Sequence, residues 1–145
     1  MSIPQLNVRF VAGFGPVVRS QTESSRLWLQ ALGLPLQAMP GNEDYLLTDR
    51  LDGVKHFSLW PLAQASQSCF GRPDWPETLP EPQCWLELEV DDVAQASRIL
   101  QQHGYQLLIE NRLEPWGQTV SRFLSPEGIL TGVTYTPWLR EDAAQ

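Results

Sequence analysis

Residues 84–105, "CWLELEVDDVAQASRILQQHGY", contain a strand followed directly by a helix, and this pair decides the fold. The first seven residues alternate between two kinds of side chain, which is the period-two pattern of a strand with two unlike faces. One face carries Leu86, Leu88 and Val90, and the other carries Trp85, Glu87 and Glu89. We expect the aliphatic face to pack under the helix and the Trp-Glu-Glu face to line a concave surface.

The helix that follows this strand has recognisable ends. Asp92 and Gln95 have the spacing of a cap and its partner, and Gly104 marks the stop. Between them, Val93, Ala96 and Leu100 recur at helical spacing, so the segment is an amphipathic helix.

The first half of the chain repeats this plan. "SQTESSRLWLQALGL" has Ser20 and Glu23 at capping-box spacing and stops at Gly33, and we expect its apolar stripe to be Leu27, Trp28, Ala31 and Leu32. Corresponding caps and stops in the two halves are separated by about half of the chain. The chain therefore consists of two halves with the same order of elements.

The strands repeat on the same interval, and each half is predicted to be βαβββ. Before the helices lie "VRFVAGFGPVV" and "CWLELEV"; after them we predict strands at 36–38, 45–48 and 54–60, and at 106–110, 119–124 and 130–136. We expect one domain over 1–145, with modules at 6–60 and 83–138, a proline-rich connection with a short helix at 61–82, and a flexible tail at 139–145.

Composition limits the classes of function. With 145 residues, 42% of them hydrophobic, the chain can bury one real core. A net charge of −7 and only ten Lys and Arg residues argue against nucleic-acid binding. Neither a run of about eighteen apolar residues nor a secretory leader is evident, so the prediction is a cytoplasmic protein without membrane contact.

Taken together, these segments resemble the vicinal oxygen chelate superfamily, which includes glyoxalases, bleomycin resistance proteins and extradiol dioxygenases. The first helix, "SRLWLQALGL", is similar to the family's S-x-x-F-Y-x-x-x-L-G-L, and "SPEG" near the end is similar to its DPDG hairpin. "PWG" resembles a rim loop of the cup. The resemblance implies an α+β fold whose two βαβββ modules form an eight-stranded, curved, cup-like mixed sheet.

Metalloenzymes of this superfamily take His and Glu or Gln ligands from the first and last strands of each module. The resemblance places these positions near Gly13, in the strand with His56, at Trp85 and near Gly132. Glycine and tryptophan side chains offer no ligand to such a metal. We therefore expect no metal or other cofactor; the alternative is a divalent ion such as Zn, Ni, Mn or Fe at His56 and Glu87.

Without a metal, the pattern is most similar to the bleomycin resistance type, in which a dimer holds a small organic molecule in an aromatic, acidic cleft. The resemblance implies a homodimer that binds an aromatic or cationic ligand. From their positions on the inner face and rim, we expect six contact residues. They are His56, Trp60, Trp85, Glu87, Trp116 and Gln118.

Other interpretations remain open. If the protein is an enzyme, the resemblance favours a glyoxalase-like lyase or an extradiol-type dioxygenase. The small number of side chains that could ligate a metal favours binding over catalysis. Glu87 and Glu89 are either an acid–base pair or two carboxylates that are solvated or paired with an arginine such as Arg122. A third interpretation is an accessory module that acts through protein contacts, which an exposed patch around Trp75 and Trp138 would support.

Overall fold

The computed structural model describes residues 6–140, and it begins with the predicted βαβββ order. In the first half the elements are β1 (Phe10–Val18), α1 (Gln21–Ser25, continued by a π-helical segment, Arg26–Ala31), β2 (Gln37–Met39), β3 (Asn42–Thr48) and β4 (Phe57–Pro61). The connection contains α2 (Leu62–Phe70). The second half has β5 (Cys84–Glu89), α3 (Val93–Gln102), β6 (Ile109–Leu113), β7 (Thr119–Leu124) and β8 (Leu130–Tyr135).

All eight strands form one open mixed sheet in the order β2-β3-β4-β1-β5-β8-β7-β6. The halves meet at the centre, where β1 and β5 pair antiparallel with Phe14 opposite Leu86. Each half also contains one parallel pair, β1 with β4 and β5 with β8. The fold class predicted from the sequence is confirmed, and the two modules pair within the chain.

The outer face of the sheet is covered by the first helix and α3. Val93 and Ala96 of α3 form a buried cluster with Val90 and Val133 of the second half. Asp92 caps α3 as expected, because its Oδ1 accepts a hydrogen bond of 2.9 Å from the Gln95 amide. The helical stripe and Val90 therefore pack as predicted, whereas Leu86 and Leu88 are half-buried and lie outside this cluster.

The apolar stripe predicted for the first helix is right at Trp28 and wrong at Leu27, Ala31 and Leu32. Leu27 and Leu32 are exposed, while Trp28 and Leu29 pack against the buried cluster around Leu59. The cause is the π-helical winding, in which the Leu32 amide donates to the Leu27 carbonyl five residues earlier. Because a π-helix has more residues per turn than an α-helix, the residues that face the core differ from those that an α-helical period predicts.

Strand β6 begins later than predicted, at Ile109 instead of residue 106. Its pairing with β7 shifts between Ile109 and Arg112, and Asn111 between them has φ of +48°. Asparagine tolerates this left-handed conformation, which accommodates the bulge. Strand β4 likewise starts three residues later than predicted, at Phe57.

The connection helix α2 lies in the concave side of the sheet. Ala65 and Cys69 of α2 belong to the same buried cluster as Trp60 and Trp85, which stand on the inner face of β4 and β5. Trp75, from the loop after α2, joins this cluster and is only 9% exposed, so the exposed patch around Trp75 and Trp138 does not form. The connection thus covers part of the cup.

At the other end of the chain, Arg140 is fixed although the sequence predicts a flexible tail from residue 139. Its guanidinium donates to Glu89 Oε2 at 2.7 Å and to the Val90 carbonyl at 2.7 Å. The rest of that predicted tail, 141–145, lies outside the described residues. Within residues 6–140, no helix combines the length and apolar character needed to cross a membrane.

Candidate functional site in the concave face

Strand β5 directs Trp85, Glu87 and Glu89 into the concave face, as the alternating pattern predicts. Trp85 is 3% exposed and Glu89 is fully buried, so this face is an interior surface. Trp85 Nε1 donates to the Ser58 carbonyl at 3.3 Å, and its ring meets the ring of Trp60 edge-on with centroids 6.1 Å apart. The two tryptophans form an aromatic floor, which is the name we use for Trp60 and Trp85 below.

Glu87 is the polar centre of this face. Its Oε2 accepts a hydrogen bond of 2.6 Å from Arg122 Nη1, and its Oε1 accepts one of 2.7 Å from Gln118 Nε2. Both carboxylate oxygens are therefore engaged. The Glu87–Arg122 pair neutralises a charge that would otherwise be costly at this depth.

Arg122 is a buried guanidinium, 1% exposed, on the inward-facing side of β7. Its Cζ lies 4.8 Å from the centre of the Trp60 ring, a cation–π contact. Burial opposes the charged form and the Glu87 carboxylate favours it, so that the net effect raises the pKa of Arg122. Its Nε–H has no hydrogen-bond acceptor among the described residues.

Gln118 joins the buried network to the rim. Its Nε2 donates to Thr134 Oγ1 at 2.8 Å as well as to Glu87, and its Oε1 accepts a hydrogen bond of 2.8 Å from Trp116 Nε1. The amide is thus fixed in one orientation. Trp116 itself is 50% exposed, so a buried glutamine positions an aromatic ring that faces solvent.

His56 stands at the edge of the same face, just before β4. Its Nε2 and the hydroxyl of Tyr45 lie 2.8 Å apart, and its ring centroid is 6.0 Å from that of Trp85. Burial lowers the pKa of His56, against the opposing effects of the Glu87 and Asp49 carboxylates. Burial likewise raises the pKa of Tyr45 well above its usual range, so the pair is neutral at physiological pH.

Glu87 and Glu89 have separate hydrogen-bond partners. Glu89 Oε2 accepts hydrogen bonds of 2.7 Å from the Thr136 amide and from Arg140 Nε. Glu87 is bonded to Arg122 and Gln118. The alternative that the carboxylates are paired with arginines agrees with this geometry, with Arg122 at Glu87 and Arg140 at Glu89.

The residues at the superfamily's ligand positions do not fit a metal ion. A Cβ at Gly13 would lie 2.8 Å from the His56 carbonyl oxygen and 2.9 Å from Trp85 Cη2, and one at Gly132 would lie 3.2 Å from Glu87 Cγ. Neighbouring atoms thus take the space that ligand side chains would need. The alternative ligands, His56 Nε2 and both Glu87 oxygens, already have hydrogen-bond partners. Residues 6–140 also contain no group of three His, Cys, Asp or Glu residues suited to a metal.

A second concavity lies away from this face. A groove of about 930 Å³ runs between the connection and the ends of β1 and β4, beside Arg19, Arg72 and Trp75. Its lining contains none of the six predicted contact residues. Arg19 is already paired with Glu81 at 3.0 Å and bonded to the Pro82 carbonyl. The groove presents no cluster of buried polar groups, and the concave face is the better candidate.

The structure brings the six predicted residues onto one face, although they differ in accessibility. Trp60, Trp85 and Gln118 are buried, His56 and Glu87 are half-buried, and Trp116 is exposed. The sequence did not predict Tyr45 as the partner of His56, nor the position of α2 over the floor. The one available signal was the Tyr45 position in β3, where its alternation with Leu46 places it on the inner side.

Comparisons with solved structures agree with this architecture. A glyoxalase/bleomycin resistance protein/dioxygenase superfamily member from Vibrio splendidus 12B01 is 15% identical with a TM-score of 0.55, covering 90% of this chain and 100% of that chain. A hypothetical protein from Bacillus halodurans C-125 is 13% identical with a TM-score of 0.56, covering 88% and 94%. A methylmalonyl-CoA epimerase variant from Streptomyces coelicolor is 11% identical with a TM-score of 0.50, covering 90% and 96%.

These identities are low, and they establish the fold alone. The chain has the glyoxalase/bleomycin resistance/dioxygenase fold, which confirms the resemblance seen in its motifs. No protein-family model matches the sequence, and no curated protein matches it.

Proposed function

We propose that this protein binds a small, flat aromatic molecule in the concave face, by contacts that need no metal ion. The observation that carries the proposal is the fixed Trp116 ring. Its indole N–H is bonded to Gln118, and Gln118 is bonded to both Glu87 and Thr134. An exposed ring that is already oriented loses little freedom when a planar ligand stacks on it.

The charges on this face favour an uncharged ring over a cation. Glu87 is paired with Arg122 at 2.6 Å and Glu89 with Arg140 at 2.7 Å. Neither carboxylate is left to attract a cationic ligand, although the sequence alone made either ligand reasonable. The neutral Tyr45–His56 pair adds hydrogen-bonding groups without adding net charge.

A matched pair of probes tests the proposal. Coumarin is flat and neutral, whereas phenyltrimethylammonium is aromatic and cationic. We expect saturable coumarin binding by calorimetry, with a shift of the Trp116 indole N–H resonance, and weaker binding of the cation. Replacing Trp116 by Ala should weaken coumarin binding at least about tenfold.

Trp138 supplies the control, because it is exposed to a similar degree, 55%, but makes no hydrogen bond to Gln118. Trp138→Ala should change the affinity less than about twofold. Equal losses in the two variants, or no saturable binding of either probe, would contradict the proposal. The resemblance to the bleomycin resistance type also leads us to propose a homodimer, although the sheet that forms the concave face is complete within one chain. Light scattering of the purified protein measures the mass.

A metal-dependent lyase or dioxygenase is the competing function. It would need His56 and Glu87 to give up the partners they have, and Glu87 to leave Arg122 buried without its carboxylate. The donor set therefore supports binding over metal-assisted catalysis. Thermal unfolding with added divalent metal ions distinguishes metal-independent binding from metal-dependent catalysis.

A further inference from the structure

Helix α2 covers the aromatic floor mainly with small side chains. The buried face of α2 consists of small residues, Ala65, Ser66, Ser68 and Cys69, and it covers two tryptophans. These four side chains bury little apolar area. The larger apolar contacts of the helix come from Leu62 and Phe70, near its two ends, which pack against the same cluster. Ser66 Oγ is also buried without a hydrogen-bond partner among the described residues.

A few polar contacts connect α2 to both halves of the sheet. Gln64 and Asn42 exchange two amide hydrogen bonds of 2.8 Å each. On the other side, the Ser68 hydroxyl donates to Glu114 Oε2 at 2.9 Å, and Arg112 Nη1 donates to the Ser68 carbonyl at 2.9 Å. Each such bond contributes modestly to stability, so the polar contacts that hold the cover can be weakened one at a time.

The ends of α2 suit a segment that moves as a unit. Pro61 precedes the helix, and Gly71 ends it with φ of +74°, a conformation natural to glycine. A Cβ built at Gly71 would meet no atom within 4 Å, and the Gly71 amide closes the helix by donating to the Gln67 carbonyl at 2.9 Å. Beneath the helix, the floor is bordered by Arg122, whose Nε–H has no acceptor among the described residues.

We propose that α2 is a displaceable cover, and that the Trp60–Trp85 floor beneath it is a binding subsite for an aromatic ring that carries a hydrogen-bond acceptor oxygen. The ring packs on the two indoles, and the acceptor oxygen meets Arg122 Nε–H. The inference rests on the proposed function, because it extends the same ligand site inward from Trp116.

Cys69 reports the opening of α2. It is 5% exposed on the buried face of the helix, and burial raises the pKa of its thiol to about 11, so the covered thiol reacts slowly. The other cysteine, Cys84, is half-buried on β5 and is removed as Cys84→Ser. The rate of Cys69 modification by 5,5′-dithiobis(2-nitrobenzoate), followed against urea concentration, then measures local opening.

We expect modification that is faster than global unfolding permits and that depends only weakly on urea. Gln64→Ala, which removes the Asn42 contact, should accelerate it about 5- to 30-fold. The matched control is Asp92→Ala, which destabilises α3 on the outer face and should leave the rate in the absence of urea nearly unchanged. Modification with the same urea dependence as global unfolding would overturn the proposal.

Saturating coumarin separates this inference from the proposed function. If the ring occupies the floor, α2 is held open and Cys69 reacts faster. Suppose that coumarin binds and that Trp116→Ala weakens its binding, but that coumarin leaves the rate of Cys69 modification unchanged or makes it slower. This result would overturn the covered subsite and leave the proposed function intact. Failure of coumarin to bind would overturn both the subsite and the proposed function, whatever the Cys69 rate.

Discussion

At the scale of single residues, Glu87 connects the rim of the concave face to its interior. Gln118 and Arg122 each bond one of its oxygens, so the carboxylate is fixed without being free to act as a base or ligand. A buried ion pair of this kind adds little net stability over apolar residues, but it becomes costly when one partner is removed. That asymmetry makes the pair testable.

Glu87→Gln should lower the free energy of unfolding by about 3–5 kcal/mol, because Arg122 would keep its charge at 1% exposure without a counter-charge. The double variant Glu87→Gln with Arg122→Met should recover most of this loss. Urea denaturation measures both. The control is Glu81→Gln in the exposed pair with Arg19, where we expect a loss below about 1 kcal/mol. Equal effects at positions 81 and 87 would contradict this account.

His56 should make stability depend on pH. Burial lowers its pKa in the folded state, so the unfolded chain binds the proton more readily. The free energy of unfolding should be highest above about pH 6.5, the ordinary histidine value, and should fall as the pH decreases below it. Glu87, Asp49 and Tyr45 are the titratable groups that act on or contact this ring.

Urea denaturation between about pH 5 and 8 measures this dependence, and His56→Gln should remove the part that histidine contributes. The matched control is His103→Gln, at the exposed end of α3. A decrease toward acid pH that persists unchanged in His56→Gln would show that other groups cause it.

At the scale of elements, the two outer helices differ in how well they agree with their sequence patterns. Helix α3 is α-helical throughout and buries the predicted stripe. The first helix has only five α-helical residues before the π-helical segment, and its cap bond, from the Glu23 amide to Ser20 Oγ, is 3.3 Å long. Caps contribute most where the bond is short and the helix behind it is packed.

Asp92→Ala should therefore cost about 1 kcal/mol of stability, measured by thermal or urea unfolding. Ser20→Ala should cost less, because its bond is longer and no residue of the α-helical segment behind it is buried. An equal or larger loss for Ser20→Ala would mean that the π-helical segment depends on its cap more than its packing indicates.

Local patterns predicted local structure well. The bounds of β7 are those expected from the sequence, and α2 lies within the connection where a short helix was expected, because apolar spacing and turn residues mark such segments directly. The π-helical winding was missed, since nothing in "RLWLQA" distinguishes it from an α-helix. For the concave face, alternation in β5 predicted the inward residues, and Arg122 was a candidate partner for a carboxylate. Tyr45 and the position of α2 were not predicted, because they come from another strand and from the connection. Such contacts depend on sheet register, which a single sequence does not determine.

At the scale of the whole molecule, the four positions that the resemblance assigns to metal ligands lie on the central strands of the sheet. The residues at these positions have no side-chain group that is free to bind a metal. We expect that Zn²⁺, Ni²⁺, Mn²⁺ or Fe²⁺ will not raise the melting temperature, and that protein purified without chelator will contain no stoichiometric metal. Elemental analysis and thermal unfolding measure this. Stoichiometric metal, lost together with its stabilisation in His56→Ala, would favour the lyase or dioxygenase alternative.

The central pairing of β1 with β5 has a further physical consequence. Either half alone would leave the edge of its innermost strand bare, so two separate halves would have to meet by diffusion, and their union would weaken on dilution. The covalent link between the halves makes that encounter intramolecular, with an effective concentration set by the length of the linking chain. Closure of the seam between β1 and β5 is therefore independent of how much protein is in solution.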